Sequence, residues 1–249
     1  MTDTETAERL AAPPRLDLGL TALFLDLDGA VAPIAPTPDA VKPDARRNGL
    51  LAALRERAGG RLAVISGRPI ADVDRILEGA VTAAAGVHGL ERRRQDGAVI
   101  RAPAHPGVAV AKAAFEALAG ADPGLLVEDK GLSVALHYRR SPDCADAVQE
   151  TARRIAAQER LTLQAGDMVV ELRTPGADKG DALRVFMAER PFAGHAPVFV
   201  GDDLTDEDAF AAARDLGGFG VLVGPGRPTA ARFRLPDVEA VLAWLEAAA

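Results

Sequence analysis

The 249 residues predict an α/β protein, with a three-layer core around a parallel sheet and a smaller α+β insert. Three observations predict it. Short runs apolar throughout recur along the chain, at 22–27 (ALFLDL), 61–65 (RLAVI), 81–87, 197–200 (PVFV) and 220–223 (GVLV). Segments of helical period separate them, as expected for strands covered on both faces. Between about 104 and 173 the pattern changes to helix, strand, strand, helix, strand, strand, which reads as a compact domain of its own.

In chain order, 43–58 has helical period, with Leu50, Leu51 and Leu54 on one face. Pro69 opens a helix running to Leu77, because its fixed φ suits a first turn. The insert reads as a helix at 108–119, strands at 125–128 and 132–138, a helix at 142–159 and strands at 161–165 and 168–172. Helices follow at 179–189 and 206–214, and a closing helix at 236–248 carries Trp244 on its buried face. The expected layout is a core of 19–103 plus 174–249, an inserted domain of 104–173, and a flexible lead-in of 1–18.

Composition narrows the function. Lys and Arg number 29 against 36 Asp and Glu, a net charge of −7. Such a chain lacks the basic field that holds a nucleic-acid duplex, but a local basic pocket can still take a small anion. Cys144 is the single cysteine, which excludes an intramolecular disulfide and a thiolate cluster. No apolar run approaches the ~18 residues of a membrane span. The acids in the first residues do not suit a signal peptide. A monomer in the cytoplasm is the expectation.

In open parallel sheets, ligands gather at the carboxyl ends of strands. Those ends carry Asp26-Leu27-Asp28-Gly29, Ser66-Gly67-Arg68 and Gly201-Asp202-Asp203-Leu204-Thr205-Asp206-Glu207, and Lys179 stands at a helix start. Asp26 and Asp28 are two apart, so on extended backbone they point the same way. Two acids that close need a counter-charge, and with Asp202 as a third oxygen donor the set suits Mg²⁺. Lys179 adds a fixed positive charge, and Ser66 with the N–H groups around Gly67 can donate to a phosphate. Taken singly, each has a plainer reading. An acidic pair before glycine ends many strands, and acids favour helix N-termini. Together at one sheet edge they make a phosphoryl-transfer constellation. Gly224-Pro225-Gly226-Arg227 lacks the third glycine of a dinucleotide fingerprint, and no Gly-Lys-Ser/Thr loop occurs, so neither NAD nor ATP is suggested.

At these residues the chain resembles the haloacid dehalogenase-like phosphatase superfamily. Within it, the chain looks like a trehalose-6-phosphate phosphatase. The narrower resemblance rests on Ile65-Ser66-Gly67-Arg68, Gly86-Val87-His88-Gly89, Val127-Glu128-Asp129-Lys130-Gly131, Leu136-His137-Tyr138-Arg139 and the stretch 171–180. It implies a Rossmann-like core with a cap domain. It also implies Asp26 as nucleophile, Asp28 as general acid and then base, and Ser66 and Lys179 as phosphate holders. Mg²⁺ would sit on Asp26, the Asp28 carbonyl and Asp202, with Asp203 and Asp206 near it. Arg68 would support the site or be a structural ion pair. Glu128, Lys130 and Glu171 would bond sugar hydroxyls. Arg139 and His88 are weaker candidates, the first reading also as an exposed strand edge and the second as a loop histidine, while His137 reads as structural or exposed and Arg92-Arg93-Arg94 as a solvated turn. Ala30 departs from the family, which usually has Thr or Ser there. Sucrose-phosphate and mannosyl-3-phosphoglycerate phosphatases remain alternatives, as does a non-catalytic sugar- or phosphate-binding relic.

Overall fold

The structure is a computed structural model that describes residues 10–166 and 168–249. It divides into two compact units, Met1–Ile100 with Ala177–Ala249, and Arg101–Gly176. The insert thus begins earlier and ends later than 104–173. In chain order the elements are β1 (Thr21–Leu25), α1 (Ala45–Arg57), β2 (Leu62–Ile65), α2 (Ile70–Leu77), β3 (Ala83–Gly86), β4 (Glu91–Arg93) and β5 (Val99–Arg101). The insert follows with α3 (Gly107–Ala121), β6 (Leu126–Asp129), β7 (Ser133–His137), α4 (Ala145–Glu159), β8 (Thr162–Gly166) and β9 (Val169–Arg173). The chain closes with α5 (Lys179–Met187), β10 (Ala196–Gly201), α6 (Glu207–Asp215), β11 (Phe219–Val223), β12 (Phe233–Leu235) and α7 (Val238–Glu246).

The large unit is built on a sheet of order β12-β11-β10-β1-β2-β3-β4-β5. The strands from β12 to β3 are parallel, and β4 turns back antiparallel on β3. Chain order runs one way from β1 to β3 and the other way from β10 to β12. It therefore reverses between β1 and β10, and such a switch point leaves a crevice at the carboxyl ends of the strands.

Alternate residues of each strand serve opposite faces. Leu23, Leu25, Leu62, Val64, Val198 and Val200 pack with Leu51 and Leu54 of α1, Val73 and Ile76 of α2, and Leu245 of α7. Phe24, Ala63, Ile65 and Phe199 pack on the other face with Leu183 and Phe186 of α5 and Phe210 of α6. Half of the strand residues in that cluster are alanines, Ala22, Ala63, Ala83 and Ala85, and phenylalanines fill the space. Phe24 and Phe186 lie 6.0 Å apart and Phe24 and Phe192 5.3 Å.

Two expectations need correction. Arg92, Arg93 and Arg94 read as a solvated turn, but Arg92 and Arg93 lie in β4. Arg92 is buried and donates to Glu189 at 2.8 and 3.0 Å, and Arg93 forks onto Asp74. Short strands with charged side chains escape an apolar-run reading, and β12 was missed for the same reason of length. Of the lead-in, 1–9 lie outside the described residues, while 10–18 are held to the core rather than loose. Leu16 and Leu18 are buried, and the Arg234 N–H donates to the Ala11 carbonyl. Trp244 packs against the core from the buried face of α7, as expected, and its indole N–H donates to the Pro14 carbonyl at 2.8 Å.

The insert is a four-stranded antiparallel sheet of order β6-β7-β9-β8. Val134, Leu136, Val170 and Leu172 pack on Phe115 of α3 and Val148, Ala152 and Ile155 of α4. The alternate positions, among them Glu128, His137 and Glu171, face away from that apolar layer.

Candidate active site

Asp26 follows β1 directly, and its N–H continues the ladder by donating to the Val200 carbonyl. The chain then leaves the sheet in a tight turn. Gly29 has φ +73°, and the N–H groups of Val31 and Ala32 donate to the Leu27 carbonyl. Backbone bonds close this turn by themselves, and Ala30 is fully buried in the apolar cluster beneath it. The hydroxyl that Ala30 lacks is therefore not needed to form the turn.

Lys179 is the first residue of α5, behind an Asp178 cap that accepts from the Asp181 N–H at 2.8 Å. Gly180 lets α5 approach α6, since a Cβ there would stand 2.5 Å from the Asp208 carbonyl. This close packing brings Lys179 to the acids. Its Nζ lies 2.9 Å from Asp26 Oδ2 and 2.7 Å from Asp206 Oδ1. The other oxygen of Asp206 accepts from the N–H groups of Asp202 and Asp203 at 2.9 and 3.0 Å. Lys179 is 2% exposed and Asp206 0%.

Asp202 completes the group. Oxygens of Asp26, Asp202 and Asp206 lie within 4.8 Å of one another, a set able to share a metal ion. Burial pushes the Asp26 carboxyl well up, and Asp206 and Asp202 add to the rise while Lys179 opposes it. Burial and then Asp206 push Asp202 up to about 7. For Lys179, burial pulls down, but Asp206 and Asp26 carry it above the ordinary lysine range. Three carboxylates thus face one ammonium. A divalent cation matches that imbalance in both sign and size, so the residues fit the metal that the sequence suggested. Asp206 is engaged by three protein donors, Lys179 and the N–H groups of Asp202 and Asp203, and Asp26 by two, Lys179 and the Leu27 N–H, so Asp206 is the most committed of the three acids.

Two predicted members stand elsewhere. The Asp28 carboxylate, in the turn beyond β1, is not in the group of three. It is gripped by the Arg68 fork, Nε to Oδ2 at 2.6 Å and Nη2 to Oδ1 at 2.9 Å. Arg68 also donates to the Pro38 carbonyl at 3.0 Å. Asp203 caps the turn that follows it, accepting from the Thr205 N–H at 3.0 Å, and is not in the group of three. Ser66 follows β2, is buried, and accepts from the Arg68 N–H at 3.2 Å. His88 is buried under this loop. Its ring would meet a Cβ on Gly67 at 2.7 Å, and the His88 backbone N–H donates to the Ser66 carbonyl.

Gly29 matters beyond its φ. A Cβ there would lie 2.0 Å from Asp202 Oδ2, so the Asp202 carboxylate rests on bare backbone. Gly29→Ala is expected to displace Asp202 and lower kcat about 10²-fold, as a misplacement near 1 Å commonly does. Steady-state phosphate release checks this, with a thermal melt to show that the variant folds.

In the insert, Glu128, Lys130 and Glu171 come together as the sequence suggested. Lys130 Nζ lies 2.8 Å from Glu171 Oε2 and 3.9 Å from Glu128 Oε2. His137, read from sequence as structural or exposed, belongs to the same row, with Nε2 2.9 Å from Glu128 Oε2. Its spacing along an alternating strand was the available signal. Burial pushes Glu128 up, yet His137 and Lys130 more than offset this and hold it below the usual range. Arg139 is exposed beyond the end of β7. The second residue missed is Arg227, which bonds the loop carrying Asp202.

The trehalose-phosphatase family model matches residues 24–239. The chain is 41% identical over 232 residues to the trehalose-6-phosphate phosphatase of Escherichia coli (strain K12), covering 90% of this chain and 85% of that one. It is 39% identical over 229 residues to a probable trehalose-phosphate phosphatase of Sinorhizobium fredii, covering 90% and 86%. Among solved structures, a trehalose-6-phosphate phosphatase related protein superposes with a TM-score of 0.72 at 28% identity, covering 90% of this chain and 95% of that one. By the span of the family match and the extent of these identities, the chain belongs to the trehalose-phosphatase family.

Proposed function

We propose that the protein hydrolyses trehalose 6-phosphate to trehalose and phosphate with Mg²⁺. The observation that carries the proposal is the group of Asp26, Asp202 and Asp206 around Lys179 at the sheet's switch point. The names of the relatives support the substrate.

Asp26 is the nucleophile. Its Oδ1 accepts from the Leu27 N–H at 2.7 Å and its Oδ2 from Lys179, which together fix the carboxylate. An oxygen of Asp26 attacks phosphorus as the bond to the sugar oxygen breaks, giving an aspartyl phosphate. Asp28, aimed by Arg68, gives its proton to the departing sugar oxygen. It then takes a proton from the water that attacks the aspartyl phosphate, which releases phosphate and restores Asp26. Ser66 and Lys179 hold the phosphate oxygens. Asp26, the Asp28 carbonyl and Asp202 would hold Mg²⁺, which when bound neutralises charge on the phosphate. Asp203 and Asp206 fix the loop that presents Asp202. His88 supports the Ser66-Gly67 turn. Glu128, Lys130 and Glu171, with Arg139 at the strand end, take the sugar hydroxyls, each of which is a donor suited to a carboxylate.

The enzyme is proposed to act as a monomer in the cytoplasm. Among the described residues, no helix is long and apolar enough to cross a membrane. The test is phosphate release from a panel of trehalose 6-phosphate, sucrose phosphate and mannosyl-3-phosphoglycerate with Mg²⁺. Trehalose 6-phosphate is expected to have the highest kcat/KM. Release from another member but none from it would overturn the substrate assignment.

A further inference from the structure

The 224–231 segment between β11 and β12 carries no phosphate fingerprint, yet it reaches the Asp202 loop. Arg227 Nη2 donates to the Asp203 carbonyl at 2.7 Å and to the Asp202 carbonyl at 3.4 Å. Arg227 Nη1 donates to Glu207 Oε1 at the start of α6. The other Glu207 oxygen accepts from the Ala230 N–H at 2.7 Å, tying the segment back on itself. The two peptide units that carry Asp202 and Asp203 are thus held from two sides. Asp206 takes their N–H groups, and Arg227 takes their carbonyls.

We propose that Arg227 is a positioning residue for the cation site, acting through the Asp202-Asp203 backbone. The inference rests on the reading that Asp26 and Asp202 hold the divalent ion. Three features carry it. First, the loop is crowded with like charge, since Asp202, Asp203, Asp206, Glu207 and Asp208 fall within seven residues, and Arg227 sets a cation against it. Second, a guanidinium is a planar fork that serves a carboxylate and a carbonyl at once, which a lysine ammonium cannot do in one fixed geometry. Third, Asp202 has no slack. It rests on Gly29, where a Cβ would stand 2.0 Å from its oxygen, so a small backbone shift moves the carboxylate away from Asp26. Partners that orient a metal ligand typically change metal affinity by about 10–100-fold when removed.

The test is Mg²⁺ binding to the metal-free full chain, followed by calorimetry and by the Mg²⁺-induced rise in melting temperature. Arg227→Met is expected to weaken Mg²⁺ binding about tenfold. At saturating Mg²⁺, its KM for the sugar phosphate should stay within about twofold of the parent, because Arg227 touches a ligand loop and not the phosphate. Arg227→Lys should recover less than half of the lost affinity on a logarithmic scale. Asp202→Asn serves as the reference. If Asp202→Asn binds Mg²⁺ like the parent, the reading of the cation site fails. If Asp202→Asn loses Mg²⁺ while Arg227→Met binds it normally, only the Arg227 proposal fails. If Arg227→Met does not fold, Arg227→Lys decides, and parent-like Mg²⁺ binding overturns the proposal.

Discussion

Asp26→Asn is expected to lower kcat about 10⁴-fold or more, the scale seen when an enzyme nucleophile is removed. The substitution keeps shape and removes the attacking oxygen's charge. An amide oxygen can still accept from Lys179 or from the Leu27 N–H, so the turn after β1 should persist. Stability should therefore move the other way from activity. Asp26 sits buried among Asp202 and Asp206 with Lys179 as its one cationic neighbour in the group. Making it neutral relieves repulsion and the cost of burying a charge. In metal-free buffer the variant should melt at the same temperature as the parent or higher. A melting curve beside a phosphate-release assay reads both effects. Turnover within about tenfold of the parent would place the nucleophile elsewhere. A large fall in melting temperature would mean that Asp26 is a structural ion-pair partner first.

How much of this was legible in the sequence follows from which interactions are local. Strands buried on both faces declare themselves by composition, so β1, β2, β10 and β11 stand out as apolar runs. Capped amphipathic helices do so by period. The short strands β4 and β12 do not, because three residues carry too little pattern and β4 is written in charge. The site was legible in its residue types, because a parallel sheet places all strand ends at one edge. Its internal contacts were less so. The sequence put Asp26 and Asp28 side by side. The turn that begins at Leu27 also brings Asp28 to Arg68, forty residues on, a bond that no local pattern announces. Asp206 read as a metal neighbour and lies in the group with Asp26 and Asp202, but its bonds to Lys179 and two backbone N–H groups were not legible. Arg227 and His137 gave only faint local signals, since their partners come from distant elements or across a sheet.

Lys179→Met is expected to damage stability and catalysis together, and Mg²⁺ should separate the two. The side chain is 2% exposed and bridges Asp26 and Asp206 at 2.9 and 2.7 Å. Removing one partner of a buried ion pair leaves the other uncompensated, at a cost of about 3–5 kcal/mol. Here three acids lose their shared cation, so a loss toward the upper end is expected in metal-free denaturant unfolding. Added Mg²⁺ supplies positive charge to the same acids, and it should restore part of that stability by binding the folded state alone. Asp206→Asn in the same chain should also restore part of it, because the acid left unpaired is then neutral. The double-mutant cycle should show coupling, which is expected for groups in contact. Catalysis should behave differently. The lost ammonium is also a fixed donor to the phosphate oxygens, and such a donor is worth about 10²–10³ in kcat. Saturating Mg²⁺ should therefore leave kcat depressed while the melting temperature recovers. Full recovery of both would reduce Lys179 to a counter-charge that any cation can replace. Recovery of neither would mean that the acids cannot hold the ion without the lysine to space them.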